Sequence, residues 1–399
     1  CRLMACANPN RHARAFLLMA ITDPLGPSEV GVAANSSAEK LLDSIAAGAC
    51  QHERLGVPRS VMDQLAAIGW LGIASSGSLQ RERAERLAMA DAAVWFCWAQ
   101  HQSPLRLLQS SSNTALKDRW LDLLGCGQAV GATAFAHLRR PGQANPVAHS
   151  TAYGWELNGE LDWITGWDLA DVVALQLRAG PESDAPVLAF LLSKSVRSTL
   201  PQGVYPQLPL ELMAMSGTWS RPVKLNNCCI SEAELLSTTP IEEWHQSDQT
   251  RTRFANPAAF GLIRAALGDL NQQAERRSNG SWLNIGRQLL EEAKDLRANC
   301  YAAIDHPDVL SDARHHDLRA AALLLAQRCC QAALISHSGE ALHSGHPTGR
   351  RLREAVFLHV QALIPPVQDR LISGSISRPV GDPWLNHDQS LGLASQSKL

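Results

Sequence analysis

The sequence predicts an α+β protein in which a helical domain, a small antiparallel β domain and a C-terminal four-helix bundle follow one another. Three observations support this class. Apolar residues recur at helical spacing over 38–128, short β-like runs separated by turns occupy 129–235, and long amphipathic segments return over 250–373. This order of helices, strands and helices differs from the strand–helix alternation of a doubly wound sheet.

The N-terminal region has the pattern of helices separated by turns. Ser60–Ile68 and Ala84–Trp98 carry alanine and leucine at three- and four-residue spacings. Glycine and proline in Gly56–Pro58 and Gly69–Gly72 interrupt that pattern. We therefore expect several short helices rather than one long one.

The middle region changes to short apolar runs that are typical of strands, such as Trp155–Leu157, Val172–Leu177 and Val187–Leu192. Asn158–Gly159 lies between the first of these runs and the next apolar residues, and Asn-Gly is a strong signal for a hairpin turn. The region therefore predicts an antiparallel β domain with a hairpin at Asn158–Gly159.

The C-terminal region returns to long helical periods. Four segments show them: Ala258–Gln273, Trp282–Ile304, Asp312–Ile335 and Arg350–Leu371. Four amphipathic segments of this length are typical of a helical bundle.

Composition excludes several classes of function. The chain has 399 residues, of which 45% are hydrophobic and 19% charged, and its net charge is -2. A balanced charge gives no basic field for a nucleic acid or an anionic membrane. No run approaches the ~20 apolar residues of a membrane span. We therefore expect neither partner, and the scattered cysteines described next lead us to expect a cytoplasmic location.

Cysteine and glycine patterns argue against several common sites. The 10 cysteines are scattered without paired CxxC motifs, so we expect reduced thiols and no zinc site. The histidines His337, His343 and His346 lack the spacing of a metal site, and we expect no metal. The chain contains no GxGxxG after a strand and no GxxxxGK[ST], which argues against a Rossmann dinucleotide site and a P-loop.

Two segments of the middle region resemble a known flavoprotein family. Leu157–Asp171 contains Trp163-Ile164-Thr165 and resembles the middle-domain signature of the acyl-CoA dehydrogenases. About thirty residues upstream, Gly131–Gly142 resembles the first flavin loop of that family. Leu161 stands where the family usually has lysine, and His137 stands where it has glutamate.

Further matches follow in the family's order and spacing. Glu53–Arg59 resembles part of its first helices, and Ala274–Gly280 resembles a helix end of the form A-x-E-R-x-x-F-G. Gly339 resembles part of its G-G-x-G stretch, and His346–Ala355 resembles Y-P-x-E-R-x-x-R-D-A. The resemblance covers residues 40–370 and implies the family's three-domain fold with flavin at the domain junction.

The resemblance implies a cofactor, which we expect to be FAD, with FMN as the alternative. It implies that Trp163 packs near the isoalloxazine, that Thr165 donates near N5, and that backbone amides of the flavin loop reach the pyrimidine edge. From spacing alone, Trp163 would be a core residue of the β domain. The full set implied for the cofactor is Phe135, Ala136, His137, Gly142, Trp163, Ile164, Thr165, Arg276 and Gly339.

Two of these residues imply an oligomer. In the family the arginine matched by Arg276 reaches a flavin phosphate across a subunit interface, and Gly339 matches a stretch that also serves the partner's cofactor. A guanidinium suits a phosphate because it binds in a bidentate manner. The alternative for Arg276 is a solvated helix end. We expect a homodimer or homotetramer.

The usual catalytic base of the family is missing. Acyl-CoA dehydrogenation needs a carboxylate to remove the α proton, and counting from Arg353-Glu354-Ala355 places the family's E-G-T glutamate at Ala362. The alternative place for the base, Phe254–Phe260, contains no aspartate or glutamate. His359, one turn before Ala362, is the candidate for a replacement base or flavin-edge donor; otherwise it is an ordinary helix histidine.

These features predict a divergent flavin-dependent oxidoreductase that acts on an acyl thioester, such as an acyl-CoA, or on a related small molecule. An electron-transfer or flavin-reductase partner follows from that chemistry. The alternatives are a monooxygenase on the same fold that uses reduced flavin and needs no such base, and a degenerate, non-catalytic binding protein. We expect poor α,β-dehydrogenation of simple fatty acyl-CoAs.

Overall fold

The computed structural model describes residues 23–28, 36–140, 146–194 and 200–376. Within these ranges the chain begins with five helices. They are α1 (Ser36–Leu55), α2 (Arg59–Ala67), α3 (Gly77–Ala90), α4 (Ala92–Ser110) and α5 (Thr114–Gly125).

Polar side chains fix where these helices begin. Ser76 Oγ accepts from the Leu79 amide at 3.1 Å, Asp91 Oδ1 accepts from the Ala93 amide at 2.8 Å, and Asn113 Oδ1 accepts from the Leu116 amide at 3.1 Å. Such caps satisfy amides that have no partner inside the helix. Asp91 also ends α3, so α3 and α4 meet at a single residue.

Eight strands follow in one sheet. They are β1 (Gly131–Ala134), β2 (Val147–Thr151), β3 (Gly154–Ile164), β4 (Val172–Arg178), β5 (Val187–Ser193), β6 (Val204–Pro206), β7 (Arg221–Ile230) and β8 (Leu235–Thr239). The order across the sheet is β6-β7-β3-β2-β4-β5-β8, and β1 pairs with β4.

The sheet is mixed, which corrects the predicted antiparallel arrangement. β1 runs parallel to β4 in the register Gly131↔Val172 to Ala134↔Leu175, and β2 touches β4 in parallel through Val147↔Arg178. The remaining ladders are antiparallel. Alternating apolar residues alone do not distinguish the two pairings, because the side-chain period of a strand is the same in both.

The predicted hairpin at Asn158–Gly159 is wrong. Both residues lie inside β3, and the turn lies between the paired residues Thr151 and Gly154. Gly159 has φ +124°, and a Cβ there would lie 2.6 Å from Pro146 Cα. Glycine is needed here for a close approach at an irregularity of the β3–β7 ladder rather than for a turn.

The remaining helices form the C-terminal region. They are α6 (Ile241–Thr252), α7 (Pro257–Arg276), α8 (Gly280–Asp305), α9 (Asp312–His337), α10 (Pro347–Val360) and α11 (Pro365–Ile376). The predicted single segment Arg350–Leu371 is therefore two helices. Pro365 and Pro366 lack amide hydrogens and cannot continue α10, but they suit the first turn of α11.

The helix α7 lies at the centre of the bundle. Phe260, Leu262 and Ile263 are fully buried, and they belong to a core that also includes residues of α3, α4, α9 and α10. The N-terminal helices and the C-terminal bundle therefore share one apolar core, while the sheet has a core of its own.

Among the described residues, one helical stretch, Asp312–Leu342, is long and apolar enough to cross a membrane by length and composition. In this structure 56% of its most apolar window is buried, and α9 packs against α7, α8, α10 and α11. Its apolar character is accounted for by this position in the bundle.

Candidate functional site

The end of β3 presents Trp163 to the outside of the sheet. Leu161 and Ile164 are both buried, although they are three residues apart and would normally face opposite sides of a strand. An irregularity in the β3–β7 ladder between these two residues accounts for this, because an extra residue shifts the alternation. Ile164 thus belongs to the sheet core, and 43% of Trp163 remains exposed.

Thr165 begins a chain of buried hydroxyl groups. Thr165 Oγ1 lies 3.0 Å from Ser220 Oγ, which lies 2.9 Å from Thr218 Oγ1, and Thr218 donates to the Met215 carbonyl at 2.8 Å. Since Thr218 uses its proton on that carbonyl, it accepts from Ser220. Ser220 uses its one proton on Thr218, so in the contact between the two Thr165 donates to Ser220, and the Thr165 oxygen can still accept from a ligand.

The predicted flavin loop forms a short 3₁₀ helix, Ala136–Arg139, directly after β1. Phe135 lines a cavity, described below, and its ring lies under the Arg139 guanidinium at 4.9 Å and edge-on to Trp244. Ala136 is half-buried. The amides at the start of such a turn have no partner within it, so they are available as donors.

His137 is buried beside the sheet. Its Nε2 has no hydrogen-bond partner in the described residues, and burial lowers its pKa to about 4, although a hydrogen bond with the Gln176 backbone and the charge of Asp162 oppose this shift. His137 is therefore neutral near pH 7. It is not part of the cavity wall that Phe135 lines.

Arg276 and Gly339 lie together at one end of the bundle. Arg276 is exposed at the end of α7, and Gly339 is exposed in the 3₁₀ turn Ser338–Leu342 that follows α9. The two helix ends are joined by Gln273 Nε2 and His337 Nδ1 at 3.2 Å. The remaining predicted residue, Gly142, falls outside the described residues.

A cavity of about 610 Å³ lies where the three regions meet. This volume is within the ordinary range of small-molecule sites. Its walls come from α4, from β1 and the loop after it, from β4, β5 and β8, and from α6, the start of α7, α9 and the connection between α10 and α11.

Both places considered for a catalytic base line this cavity. Gln361 and Ala362 lie on one side, and Phe254 to Pro257 lie on another. Asn256 Nδ2 donates to Gln361 Oε1 at 3.3 Å. Two uncharged amides therefore join the two positions where relatives of this fold were expected to carry carboxylates.

The backbone at Ala362 supports an alternative to the predicted register. Ala362 has φ +49°, a left-handed conformation that favours glycine. In E-G-T the residue after the glutamate is a glycine, so aligning Ala362 with that glycine places Gln361 where the glutamate would stand. The sequence-based count puts Ala362 there, so the two registers differ by one residue.

His359 is held in the helix packing. Its Nε2 lies 3.1 Å from the Leu323 carbonyl of α9, and because a carbonyl only accepts, Nε2 carries the proton. His359 is not in the cavity wall, in contrast to Gln361 two residues later. The structure does not bring the proposed base to the other predicted site residues.

Charged residues that the sequence analysis missed also line the cavity. Asp248 accepts two hydrogen bonds from Arg139, both at 2.7 Å, and forms an ion pair with Arg251 at 3.5 Å. Arg106 and Arg319 are further members of the wall. They come from α4, α6, α9 and the flavin loop, and no sequence motif connects segments so far apart.

Arg319 fixes the connection between α10 and α11. Its Nη2 donates to the Gln361 and Ala362 carbonyls at 3.0 and 2.9 Å, and its Nη1 donates to the Thr252 carbonyl. Burial and then the charge of Arg139 lower the pKa of Arg319 to about 10, and the charge of Asp248 opposes this shift. The buried Nε has no partner in the described residues.

Within the described residues, no group of three or more histidine, cysteine, aspartate or glutamate side chains could hold a metal ion. The cysteines of the same ranges are free thiols. Burial raises the pKa of the Cys97, Cys300 and Cys329 thiols well above its usual range, so these thiols are un-ionised.

Solved structures share this architecture. An acyl-CoA dehydrogenase from Geobacillus kaustophilus superimposes with a TM-score of 0.69 at 14% identity, over 87% of this chain and 100% of that one. Butyryl-CoA dehydrogenase from Megasphaera elsdenii gives 0.67 at 17% identity, over 94% and 100%. The FAD complex of PigA gives 0.64 at 16% identity, over 86% and 97%.

The chain has the acyl-CoA dehydrogenase fold, which confirms the fold that the sequence motifs implied. No protein-family model and no curated protein matches the sequence. At these identities the likeness defines the fold alone, and the activity has to be argued from the residues of the cavity.

Proposed function

We propose that this protein is a flavin-dependent oxidoreductase of the acyl-CoA dehydrogenase superfamily that binds FAD, with FMN as the alternative, and a small molecule at the junction of its three regions. One observation supports this above the others. Phe135 of the predicted flavin loop lines the same 610 Å³ cavity as Gln361 and Ala362, the positions compared with the family's catalytic motif.

The residues near the end of β3 fit a flavin. Trp163 offers an exposed indole face for a flat ring, and Thr165 offers a hydroxyl at the end of a hydrogen-bonded chain. The amides that begin the 3₁₀ turn at Ala136 supply donors for a ring edge. Bound FAD would accept a hydride from the substrate.

The cavity lacks a base with a free carboxylate at the expected place. Gln361 and Asn256 are amides, and Asp248 has both oxygens engaged by Arg139. The second carboxylate of the described wall, Glu243, is exposed in the first turn of α6. This arrangement favours a reaction that does not begin with removal of an α proton from a thioester.

The same observation supports the second candidate, a monooxygenase that takes reduced flavin from a partner reductase. The third candidate, a binding protein without catalysis, retains the cavity but needs no flavin. For all three we propose a cytoplasmic homo-oligomer, with Arg276 and Gly339 at the subunit interface, and we expect sedimentation above the monomer mass at micromolar protein.

The test of the flavin site is an absorption spectrum of the purified full chain, followed by titration with FAD and FMN. We expect binding well below millimolar concentration. Trp163→Ala should weaken it about tenfold or more, because a stacked aromatic face is lost. Tyr153→Ala is the matched control, since Tyr153 is 94% exposed in the β2–β3 turn.

If neither flavin binds below about millimolar concentration, the proposal fails. Equal losses of flavin affinity in Trp163→Ala and Tyr153→Ala would reject the assignment of the flavin site to the end of β3. With flavin bound, anaerobic bleaching by acyl-CoA would indicate a dehydrogenase, and oxygen uptake with reduced flavin and no acyl-CoA would indicate a monooxygenase.

A further inference from the structure

The described wall of the 610 Å³ cavity carries more positive than negative charge. Its arginines are Arg106, Arg139, Arg251 and Arg319, and its carboxylates are Glu243 and Asp248. Cavities that carry an excess of one charge raise the local concentration of ions of the opposite sign. The distribution of partners among these groups shows where such an ion would bind.

Asp248 is the shared counter-charge for two arginines. It accepts the bidentate pair from Arg139 at 2.7 Å, whereas Arg251 lies 3.5 Å away and makes no hydrogen bond to it. Only 7% of the Asp248 side chain is exposed, compared with 61% for Arg251. Arg139 is therefore neutralised by Asp248, while the exposed Arg251 guanidinium makes no hydrogen bond within the described residues.

Arg106 has no counter-charge. Its guanidinium makes no hydrogen bond or ion pair within the described part of the chain, although it lines the cavity. Arg106 is an exposed residue, but partial desolvation of its guanidinium lowers its pKa, and the positive charge of Arg251 lowers it further. Arg106 and Arg251 are thus near enough for their charges to repel, and the ion pair with Asp248 serves Arg251 but not Arg106.

Glu243 does not relieve this repulsion. It begins α6, whereas Arg251 is in the last turn of the same helix, and it forms no ion pair with any described residue. Deeper in the wall, the 3% exposed Arg319 leaves its Nε without a partner. The cavity therefore holds guanidinium donors that the described residues do not satisfy.

We propose that Arg106 and Arg251 bind an oxyanion, a carboxylate or a phosphate, of the ligand that enters this cavity. A guanidinium binds either group through paired, charge-assisted hydrogen bonds. The inference names the substrate class of the proposed function, and it rests on that function only for the statement that the ligand is a substrate.

Calorimetric titration of the full chain tests the inference with four probes: inorganic phosphate, coenzyme A, succinate and the uncharged succinamide. We expect the chain to bind either phosphate and coenzyme A, or succinate. If it binds succinate, it should bind succinamide at least about tenfold more weakly. Binding of the phosphates alone assigns a phosphate site, and preference for succinate over its amide assigns a carboxylate site. Affinity should fall as sodium chloride is added.

Variants locate the site. Arg106→Gln and Arg251→Gln should each lower the affinity for the anion by about tenfold, the loss expected for one charge-assisted interaction. Arg287→Gln is the matched control, because Arg287 is exposed on α8 outside this cavity. Thermal melting of each variant checks that it is folded.

Three results would overturn the inference: no binding of any anion by the parent chain at millimolar concentration, full affinity in Arg106→Gln, or an equal loss in Arg287→Gln. Flavin absorbance is recorded in the same samples. Anion binding without flavin binding would reject the proposed function and keep the oxyanion site. Flavin binding without a response to the probes would reject the oxyanion site alone.

Discussion

Two clusters of buried charge differ in how completely the protein satisfies them. In the first cluster, Arg264 of α7 is 3.1 Å from Glu82, 2.8 Å from Glu85 and 2.6 Å from Asp23. In the cavity, Arg319 contacts carbonyl oxygens and no carboxylate, and its Nε has no partner in the described residues. Both arginines are 2–3% exposed.

The pKa values move in opposite directions for a physical reason. Burial alone would lower the pKa of Arg264, but the hydrogen bond to Asp23 and the charges of Glu85 and Glu82 raise it above the usual value. Burial lowers the pKa of Arg319, and the charge of Asp248, which forms no ion pair with it, offsets this only in part. The charges of the Arg264 cluster are paired without a ligand, whereas those of the cavity are not.

The comparison indicates which charges serve folding and which serve binding. Arg297 and Tyr301 of α8 also contact Glu85 of α3, so three helices, α3, α7 and α8, meet at one carboxylate. Removing a member of that cluster should destabilise the protein. Removing an unsatisfied member of the cavity wall should change binding with little effect on stability.

The largest effect concerns the amide pair of the cavity. The parent chain should bleach bound flavin negligibly with simple fatty acyl-CoAs, because Gln361 cannot take a proton. Gln361→Glu should raise the bleaching rate by about a hundred- to ten-thousand-fold, the range of general-base catalysis. The measurement is anaerobic stopped-flow absorbance of flavin-loaded protein with a panel of acyl-CoAs.

Ala362→Glu is the matched control for that prediction, because it places the carboxylate one residue later. A larger gain in Ala362→Glu than in Gln361→Glu would restore the register counted from the sequence. Fast bleaching by the parent chain would contradict the prediction and reveal another base. His359→Ala, which should otherwise leave bleaching unchanged, would then be the first variant to test.

The next largest effect concerns the Arg264 cluster. Arg264→Met should lower the free energy of unfolding by about 3–5 kcal/mol, because it leaves buried Glu82 and Glu85 with less compensation. Urea unfolding followed by circular dichroism measures this loss. Arg328→Gln, which breaks an exposed pair with Glu292, should cost under about 1 kcal/mol. Similar losses in both variants would remove the distinction between the clusters.

A buried histidine extends the comparison to pH. Gly131 donates its amide to His101 Nδ1 at 2.9 Å, and burial lowers the pKa of His101 from 6.5 to about 4. Because the folded pKa is the lower one, the unfolded chain binds this proton first. The contribution to stability is complete above pH 6.5 and is lost progressively as the pH falls toward 4.

The expected loss is at most on the order of 3 kcal/mol. Urea unfolding at a series of pH values measures it, and His101→Gln should flatten the profile between pH 6.5 and 4. His137 shifts in the same direction, so part of the slope should remain. An unchanged slope in His101→Gln would show that other groups dominate it.

The smallest effect is expected at Arg106. Arg106→Gln should change the free energy of unfolding by less than about 0.5 kcal/mol, because the side chain makes no ion pair in the described residues and loses only its repulsion from Arg251. Urea unfolding checks this. A loss comparable with that of Arg264→Met would mean that Arg106 supports the fold.

The order of helices, strands and helices was predictable because apolar period is a local property of the chain. Helical spacing over 38–128 and 250–373 and the motif Trp163–Thr165 were sufficient for the fold class. Local signals failed where one residue type can serve either of two structural roles. Gly159 signals a turn in sequence, yet in β3 it allows Pro146 to approach.

The sequence by itself also determined that a carboxylate is absent from the usual places for a base, since neither Ala362 nor Phe254–Phe260 supplies one. Only the tertiary structure decided what stands there instead. The left-handed backbone at Ala362 makes Gln361 the alternative position for the base, and its contact with Asn256 joins two segments that are distant in the chain. Likewise, Arg106 and Arg251 belong to different helices, and their shared cavity exists only once α4 and α6 pack against the sheet, because charges interact through space and not along the sequence.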